Sequence, residues 1–196
     1  DSLSVDFHKL FYQPISCGAF LLRDGDHYEL LERSAAYLNP ETGEWPPAPD
    51  LVSKSVQTTR RFDALKPYVT FRALGREGLA ELVEYTLDLA DVTADLLAEA
   101  PDFELLNRPT INAVTFRYRP TEDAPTETVD RLNAAVRAAL LRNGDAVVGR
   151  TEIDGVTSLK FTLLDPRTTP DDVAAILDDV RRHGRTLEAA ESGLAQ

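Results

Sequence analysis

The chain has 196 residues and a formal net charge of −12, and its hydrophobic share of 43% is that of an ordinary globular protein. Nucleic acid and anionic membranes both attract basic surfaces, so this charge argues against either one as a partner. The sequence has no signal peptide and no long uncharged apolar run, and its single cysteine, Cys17, excludes an intramolecular disulfide. These features favour a cytoplasmic protein in which Cys17 is a small buried residue rather than a nucleophile.

The first predicted element is a short buried strand over residues 2–7, in which apolar and polar side chains alternate. His8 and Lys9 follow it directly, at the end of a strand where α/β sheets bind their ligands. A lysine that is desolvated there loses its proton more readily and can attack a carbonyl to form a Schiff base. The residues alone leave open the alternative that Lys9 is a solvated cap.

A second strand and a long loop follow. Residues 15–22 form an apolar run without alternation, which is typical of a strand in a sheet that is covered on both faces. A short helical stretch is predicted near residues 26–33. Residues 39–58 contain four prolines and cannot form one helix or a central strand. A loop of this length in a compact domain is usually either functional or disordered.

Helical periodicity returns after this loop. It covers residues 60–74, where Pro67 predicts a kink or a restart, and it is strongest over residues 76–99, where leucines and valines form one stripe. Pro101 lies just beyond the predicted end of that helix.

Residues 102–190 are predicted to form a compact layer of strands and helices. A glycine cap at Gly144, a hairpin turn at Asp154-Gly155 and a final helix opened by Pro170 supply its turns and ends. The order β-β-α-β-β-α predicts a small α+β fold with helices on one face of a mainly antiparallel sheet. The predicted strands are residues 103–106, 113–119, 146–153 and 157–164, and the first helix is 126–142.

Three segments occur in an order that is typical of one enzyme family. They are DSLSVDFHKLFYQPISCGAFLLRD at residues 1–24, KSVQTTRRFDALK at residues 54–66, and LKFTLLDP at residues 159–166, followed by Thr168-Thr169-Pro170. Together they resemble the pyridoxal-phosphate-dependent group II amino-acid decarboxylases. The resemblance is greatest to the branch that acts on diaminobutyrate, lysine and ornithine in siderophore and polyamine pathways.

The resemblance implies an α/β fold, namely the C-terminal part of a fold-type I pyridoxal-phosphate-dependent transferase. Residues 1–99 would be the C-terminal segment of its cofactor-binding large domain, with a catalytic loop at 36–58, and residues 100–196 its small α+β C-terminal domain. The family's sequence before the lysine segment is missing here, and the chain has no methionine even at position 1. We therefore expect it to act with the missing N-terminal part of the same enzyme, in a homodimer.

The activity implied by the resemblance is α-decarboxylation of an L-amino acid by pyridoxal 5'-phosphate, which supplies the electron sink. Lys9 would hold the cofactor covalently, and His8 would contact its phosphate or the substrate. A hydrogen-bonded structural histidine is the alternative for His8. Asp6 stands where several relatives carry an asparagine near the phosphate, and its role stays open because a carboxylate repels phosphate.

Tyr37 lies at the start of the proline-rich stretch, where the resembling enzymes carry a loop tyrosine. Its phenol would protonate the substrate Cα after CO2 leaves, while a packing residue is the alternative. Thr58 and Thr59 stand where relatives bring a short segment from the partner subunit, so they would bind the cofactor. Arg60 would bind the substrate carboxylate or the phosphate, whereas Arg61 is expected to be a solvated arginine at a helix start.

The resemblance implies a basic amino acid (2,4-diaminobutyrate, lysine or ornithine) as the substrate, and a diamine and CO2 as the products. Aromatic decarboxylases usually carry tryptophan after the lysine, where this chain has Leu10-Phe11-Tyr12, but an enzyme for aromatic amino acids is an alternative. A second alternative is not an enzyme at all. In it, residues 102–190 are a ferredoxin-like regulatory or dimerisation module beside an inactive remnant. No metal site is expected, because the three histidines are scattered along the sequence.

Overall fold

The computed structural model describes residues 1–32, 51, 54–57 and 59–194. They fall into two compact units, Asp1–Leu79 and Ala80–Gln196. Within the described ranges, no helix is both long enough and apolar enough to cross a membrane.

The first unit begins with a two-stranded antiparallel sheet. Strand β1 (Ser2–Asp6) pairs with β2 (Gly18–Leu22), and the register brings Val5 opposite Ala19. The strand predicted at residues 2–7 is therefore confirmed. The strand predicted at 15–22 begins three residues later than expected, because residues 15–17 belong to the connection between the two strands.

Most side chains of this sheet are exposed, which differs from the buried strands that the sequence predicted. Leu3, Phe20 and Leu21 are each more than half exposed. Among the described residues, no further strand pairs with β1 or β2. A two-stranded sheet of this kind is marginally stable in water unless other protein covers it.

The helical stretch predicted near residues 26–33 is a 3-10 helix, Gly25–Leu31. Its cap is Asp24, whose Oδ1 accepts a hydrogen bond from the backbone N–H of Asp26 at 3.0 Å.

The long helix α1 (Leu65–Glu99) is interrupted at Gly75, where φ is 68° and ψ is −173°. Glycine adopts this backbone conformation without strain, so the glycine at position 75 allows the helix to break there. Pro67 causes no kink, because it lies in the first turn, where a backbone N–H has no helical partner to lose. The helix predicted at 60–74 thus starts late and breaks at Gly75 rather than at Pro67, while the helix predicted at 76–99 is confirmed.

The second unit follows the predicted order β-β-α-β-β-α. Its elements are β3 (Phe103–Leu105), β4 (Ala113–Tyr118), α2 (Thr126–Asn143), β5 (Gly149–Ile153), β6 (Val156–Thr162) and α3 (Pro170–Leu194). The four strands form one antiparallel sheet with the spatial order β3-β4-β6-β5. The α+β layer expected from the sequence is confirmed.

The turns of this unit follow the residues that predicted them. Gly144 caps α2 in the left-handed conformation with φ 74°, and its N–H donates to carbonyls of the last helical turn. Asp154 and Gly155 both have positive φ, 50° and 79°, as a type I′ hairpin between β5 and β6 requires.

The core of the second unit is built around aromatic rings of β3, β4 and β6. Phe103 meets Phe116 and Tyr118 edge-on at centroid distances of 5.8 and 5.7 Å, and Phe116 lies 4.8 Å from Phe161. Aliphatic residues of α1, α2 and α3 complete this cluster. Gly184 of α3 faces the ring of Tyr118 so closely that a Cβ there would overlap it.

Two polar side chains inside this unit hold α2 to the sheet. Asn133 is buried, and its amide exchanges two hydrogen bonds of 2.8 Å with the backbone N–H and C=O of Tyr118. Arg117 is 3% exposed and pairs with Asp130 of α2 at 2.6 Å. Asp130 also accepts from the Thr157 N–H at 2.9 Å, which ties α2 to β6.

Candidate active site

Lys9 lies in the turn that follows β1. Its N–H donates to the Asp6 carbonyl at 3.3 Å, and its own carbonyl accepts from the N–H of Tyr12 at 3.0 Å. The N–H of Gln13 closes the turn by donating to the Phe7 carbonyl at 3.0 Å. These bonds fix the backbone on both sides of Lys9, so the lysine is carried on an ordered turn.

The side chain of Lys9 points to an accessible surface. It is 63% exposed, and its Nζ lies 3.4 Å from Oδ2 of Asp6. An ammonium has three hydrogens to donate, so this single ion pair leaves the amine within reach of a ligand.

His8 is oriented by the start of β2. Its Nδ1 lies 2.9 Å from the carbonyl oxygen of Cys17 and 3.4 Å from the Cys17 N–H. The shorter contact places the proton on Nδ1, which then donates to the carbonyl, so Nε2 is the acceptor of the neutral ring. Nε2 lies 3.9 Å from Oδ1 of Asp6, and the side chain is 20% exposed. His8 therefore has a structural bond on one nitrogen and a second nitrogen near the carboxylate that also pairs with Lys9.

Cys17 joins this turn to the beginning of α1. It is 3% exposed, and its Sγ donates to the carbonyl oxygen of Asp63 at 3.5 Å. Its own carbonyl accepts from the N–H groups of Phe7 and His8 at 2.9 and 3.3 Å. The expectation that Cys17 is a small buried residue is confirmed.

Asp63 and Lys66 form an ion pair at the start of α1. Lys66 Nζ lies 2.8 Å from Oδ1 of Asp63 and donates to the carbonyls of Ser16 and Pro14 at 2.8 and 3.2 Å. The hydrogen bond from Lys66 is the main reason that the pKa of Asp63 lies below its usual value. The helix start thus binds the loop between β1 and β2 through backbone carbonyls.

A cleft of about 770 Å³ opens beside this loop. Thr59, Arg60 and Arg61 contribute to its wall, together with Ser16 and Gly18 from the loop and β2. Arg61 is exposed and donates from Nη2 to Oγ of Ser16 at 3.0 Å, so it also binds the loop. The residues that line the cleft therefore include two arginines and a threonine, which suit a phosphate or a carboxylate, and also Asp63, whose carboxylate lies 3.6 Å from Nε of Arg61.

The predicted site residues that the structure describes occupy two places. Lys9 and His8 share the turn after β1, whereas Thr59 and Arg60 lie in the cleft. In the described part of the chain, the loop at Ser16 and Cys17 connects the two places, since Cys17 binds His8 and Ser16 lines the cleft. Tyr37 and Thr58 lie outside the described residues, as does most of the loop predicted at 36–58.

The sequence interpretation missed the residues that join these places. Asp63 and Lys66 stand three positions apart at a helix start, a spacing at which side chains meet, and that signal was present in the RRFDALK motif. Gln13, which is buried and accepts from the Thr70 hydroxyl at 3.1 Å, gave no such signal.

The residues of the first unit fit a cofactor that carries an aldehyde and a phosphate. Lys9 offers an accessible primary amine for the aldehyde. Lys66 does not, since its three hydrogens have three acceptors. In the cleft, Arg60 supplies positive charge for the phosphate or for a carboxylate, whereas Arg61 is paired with Asp63.

Comparison with known proteins places this chain in a family. A pyridoxal-dependent decarboxylase conserved domain matches residues 1–119. The chain is 42% identical to L-2,4-diaminobutyrate decarboxylase of Rhizobium meliloti over 95% of its length and 41% identical to that of Acinetobacter baumannii over 97%. It is 26% identical over 92% of its length to an aromatic-L-amino-acid decarboxylase of Bacillus atrophaeus. The chain spans 37% of the length of the two diaminobutyrate decarboxylases.

Solved structures give the same answer for the fold. A glutamate decarboxylase domain of the diaminobutyrate-pyruvate transaminase and L-2,4-diaminobutyrate decarboxylase from Vibrio parahaemolyticus matches with a TM-score of 0.75 and 34% identity. That match covers 94% of this chain and 34% of the other. Oryza sativa TDC, solved with PLP and tryptamine, matches with a TM-score of 0.85 over 95% of this chain and 39% of its own; at 24% identity it bears on the fold alone. The fold is that of part of a fold-type I pyridoxal-phosphate enzyme, and the chain belongs to the pyridoxal-dependent decarboxylase family.

Proposed function

We propose that the protein containing this chain uses pyridoxal 5'-phosphate to remove the α-carboxylate of a basic amino acid, giving a diamine and CO2. The observation that carries the proposal is the accessible Lys9, held with His8 on an ordered turn. Among basic substrates, 2,4-diaminobutyrate comes first, ahead of lysine and ornithine, because two relatives at 41–42% identity are named for it. The aromatic alternative rests on a relative at 26% identity.

When bound, the cofactor supplies an electron sink for the carbon that loses CO2. Lys9 is the residue that holds it covalently through Nζ. The carboxylate of Asp6 lies 3.4 Å away, so Nζ must leave this ion pair before it acts as a nucleophile. Asp6 thereby orients the free lysine.

His8 acts through the nitrogen that the protein leaves available. Its Nδ1–H is held by the Cys17 carbonyl, so Nε2 contacts the cofactor or the substrate. The fixed tautomer makes Nε2 an acceptor in the neutral ring and a donor to anions once the ring is protonated.

Thr59 and Arg60 bind anionic groups in the cleft, and Thr58 acts beside them. A guanidinium binds a carboxylate or a phosphate through two parallel hydrogen bonds. This bidentate contact fixes the orientation of the substituents on the substrate α-carbon. Tyr37 is the proton donor to Cα. Its phenol suits this role because a loop that closes over the site excludes water from the reacting carbon.

We also propose the assembly in which these residues work. A further N-terminal part of the same protein covers the exposed β1–β2 sheet and supplies the rest of the cofactor site. The protein is a homodimer in which residues 39–59 reach the site of the partner. Residues 1–99 belong to the large domain and 100–196 to the small domain, and the enzyme serves cytoplasmic siderophore or polyamine synthesis.

Lys9→Ala in the complete protein tests the proposal. The expected result is loss of the visible absorption band and of turnover, because no other group replaces the covalent bond. Borohydride reduction followed by peptide mapping should place the reduced cofactor on Lys9 in the unsubstituted protein and nowhere in the variant. The matched control is Lys160→Ala in β6, which should keep the band.

A reduced adduct at one peptide of the Lys9→Ala variant would show that another lysine does the work. No adduct in the unsubstituted complete protein would favour the non-enzymatic module instead.

A further inference from the structure

We infer that Lys66 is the positioning residue of the site: its ammonium holds the Pro14–Cys17 loop against α1 and thereby fixes the turn that carries His8 and Lys9. The inference rests on the proposed function of Lys9. Lys66 itself touches neither the cofactor nor the substrate in this scheme, and it acts through the loop.

The Lys66 ammonium uses all of its hydrogen-bond donors. Each of its three hydrogens has an acceptor, namely the carbonyls of Pro14 and Ser16 and the carboxylate of Asp63, at 3.2, 2.8 and 2.8 Å. Its side chain is 24% exposed. Bonds from a charged donor are stronger than those between neutral groups, and a side chain with three fixed partners has little rotamer freedom left. Lys66 is therefore a fixed point, unlike Lys9.

The Pro14–Cys17 loop connects Lys66 to the turn that carries His8 and Lys9. Cys17 follows Ser16 directly and is anchored by its Sγ on the Asp63 carbonyl, the same residue that pairs with Lys66. The Cys17 carbonyl in turn holds the N–H and Nδ1 of His8. Only Ser16 and Cys17 thus stand between the Lys66 ammonium and His8, the residue that precedes Lys9.

A second contact from α1 supports the other side of the turn. The hydroxyl of Thr70, one helical turn after Lys66, donates to Oε1 of Gln13 at 3.1 Å, and the Gln13 N–H closes the Lys9 turn on Phe7. Because residues four apart share one face of a helix, Lys66 and Thr70 act from the same face. The start of α1 therefore holds the Lys9 turn at both of its ends.

The test compares Lys66→Met with Lys66→Arg in the complete protein. Methionine keeps the length of the side chain and removes the charge and all three donors. A misplacement of about 1 Å in a site can cost a reaction on the order of 100-fold in rate, so we expect capture of pyridoxal 5'-phosphate by Lys9 to slow by about 10- to 100-fold and the apparent Kd to rise. The fraction of Lys9 peptide trapped by borohydride should fall in parallel. Arginine, which keeps the charge, should recover part of both losses. Lys160→Met is the matched control and should change neither.

The readouts separate positioning from folding. Cofactor affinity and Lys9 trapping are measured at a temperature where circular dichroism shows each variant fully folded. An unchanged Kd and unchanged trapping in folded Lys66→Met would overturn the inference, even if its melting temperature falls. If that variant does not fold, Asp63→Ala replaces it, since it removes the carboxylate acceptor and leaves the two carbonyls. Weaker affinity with reduced trapping then supports the inference, and an unchanged Kd overturns it.

The Lys9→Ala and Lys66→Met variants together distinguish this inference from the proposed function. An adduct that persists in Lys9→Ala refutes the assignment of Lys9, and the role of Lys66 falls with it. Loss of the adduct in Lys9→Ala together with unchanged affinity in Lys66→Met leaves the function standing and refutes only the positioning role.

Discussion

Gly184→Ala in α3 is expected to destabilise the second unit, although alanine favours helices. A Cβ at this position would lie 2.7 Å from Cδ1 and 2.9 Å from Cζ of the Tyr118 ring, and would overlap Cε1 as well. Carbon atoms in contact prefer about 3.5–4.0 Å, so the ring or the helix must move by roughly 1 Å. The ring is 1% exposed and packs on Phe103, so it has no room to rotate away.

The expected magnitude follows from two opposing terms. Overpacking of a core costs about 1–3 kcal/mol and occasionally more, whereas replacing glycine by alanine inside a helix gains about 1 kcal/mol. Because three ring atoms are overlapped, the upper part of the first range applies. We expect a net loss of about 2 kcal/mol in the free energy of unfolding.

Urea denaturation followed by circular dichroism measures this loss as a lower midpoint at an unchanged slope. Gly25→Ala is the control, because no atom lies within 4 Å of a Cβ built there. In a Tyr118→Leu background, Gly184→Ala should become neutral or stabilising, and the double-mutant cycle gives the coupling. A Gly184→Ala variant as stable as the unsubstituted protein would refute the reasoning.

Two further predictions concern acid stability and the loop tyrosine. Hydrogen bonds from His183 and Arg182 lower the pKa of Asp145 in the folded state, so its stabilising contribution is present above about pH 4, the unfolded value, and disappears as the pH falls through the folded value. Asp145→Asn should therefore be less stable than the unsubstituted protein at pH 7 and nearly equal to it at pH 2; a constant gap in urea midpoints across this range would contradict the assignment. Tyr37→Phe should keep cofactor binding and lower turnover by about 10²–10⁴-fold, as single-turnover kinetics would show. Product analysis should find that dissolved oxygen oxidises part of the decarboxylated substrate to an aldehyde and ammonia, with O2 reduced to hydrogen peroxide, in place of the amine. Amine formation at a near-normal rate would make Tyr37 a packing residue.

Local signals in the sequence predicted the second unit well. Gly144 and the Asp154-Gly155 pair need positive φ, and only a few residue types adopt it readily, so their positions fixed a helix end and a hairpin. The stripe of leucines and valines over residues 76–99 likewise predicted its helix. An apolar stripe of this length is present because one face of the helix packs against the core.

Other features depend on partners that are distant in sequence. The close packing of Gly184 on the Tyr118 ring involves positions 66 apart, and the hydrogen bond from Lys66 to the Ser16 carbonyl involves positions 50 apart. No periodicity encodes such pairs. The misplaced kink at Pro67 had a different cause: a proline in the first turn costs a helix nothing, and only the position of the helix start, Leu65, shows that Pro67 is in that turn.

The edges of the two sheets differ in a way that matters for aggregation. In the second unit, β3 has only three residues, and the other edge strand, β5, exposes the charged side chains of Arg150 and Glu152, both of which discourage pairing with a foreign strand. In the described part of the first unit, β1 and β2 each have an unpaired edge beside exposed Leu3, Phe20 and Leu21. Intermolecular β-pairing should therefore start at this hairpin whenever it is left uncovered, and a charged substitution at Phe20 would be the first remedy for insoluble protein.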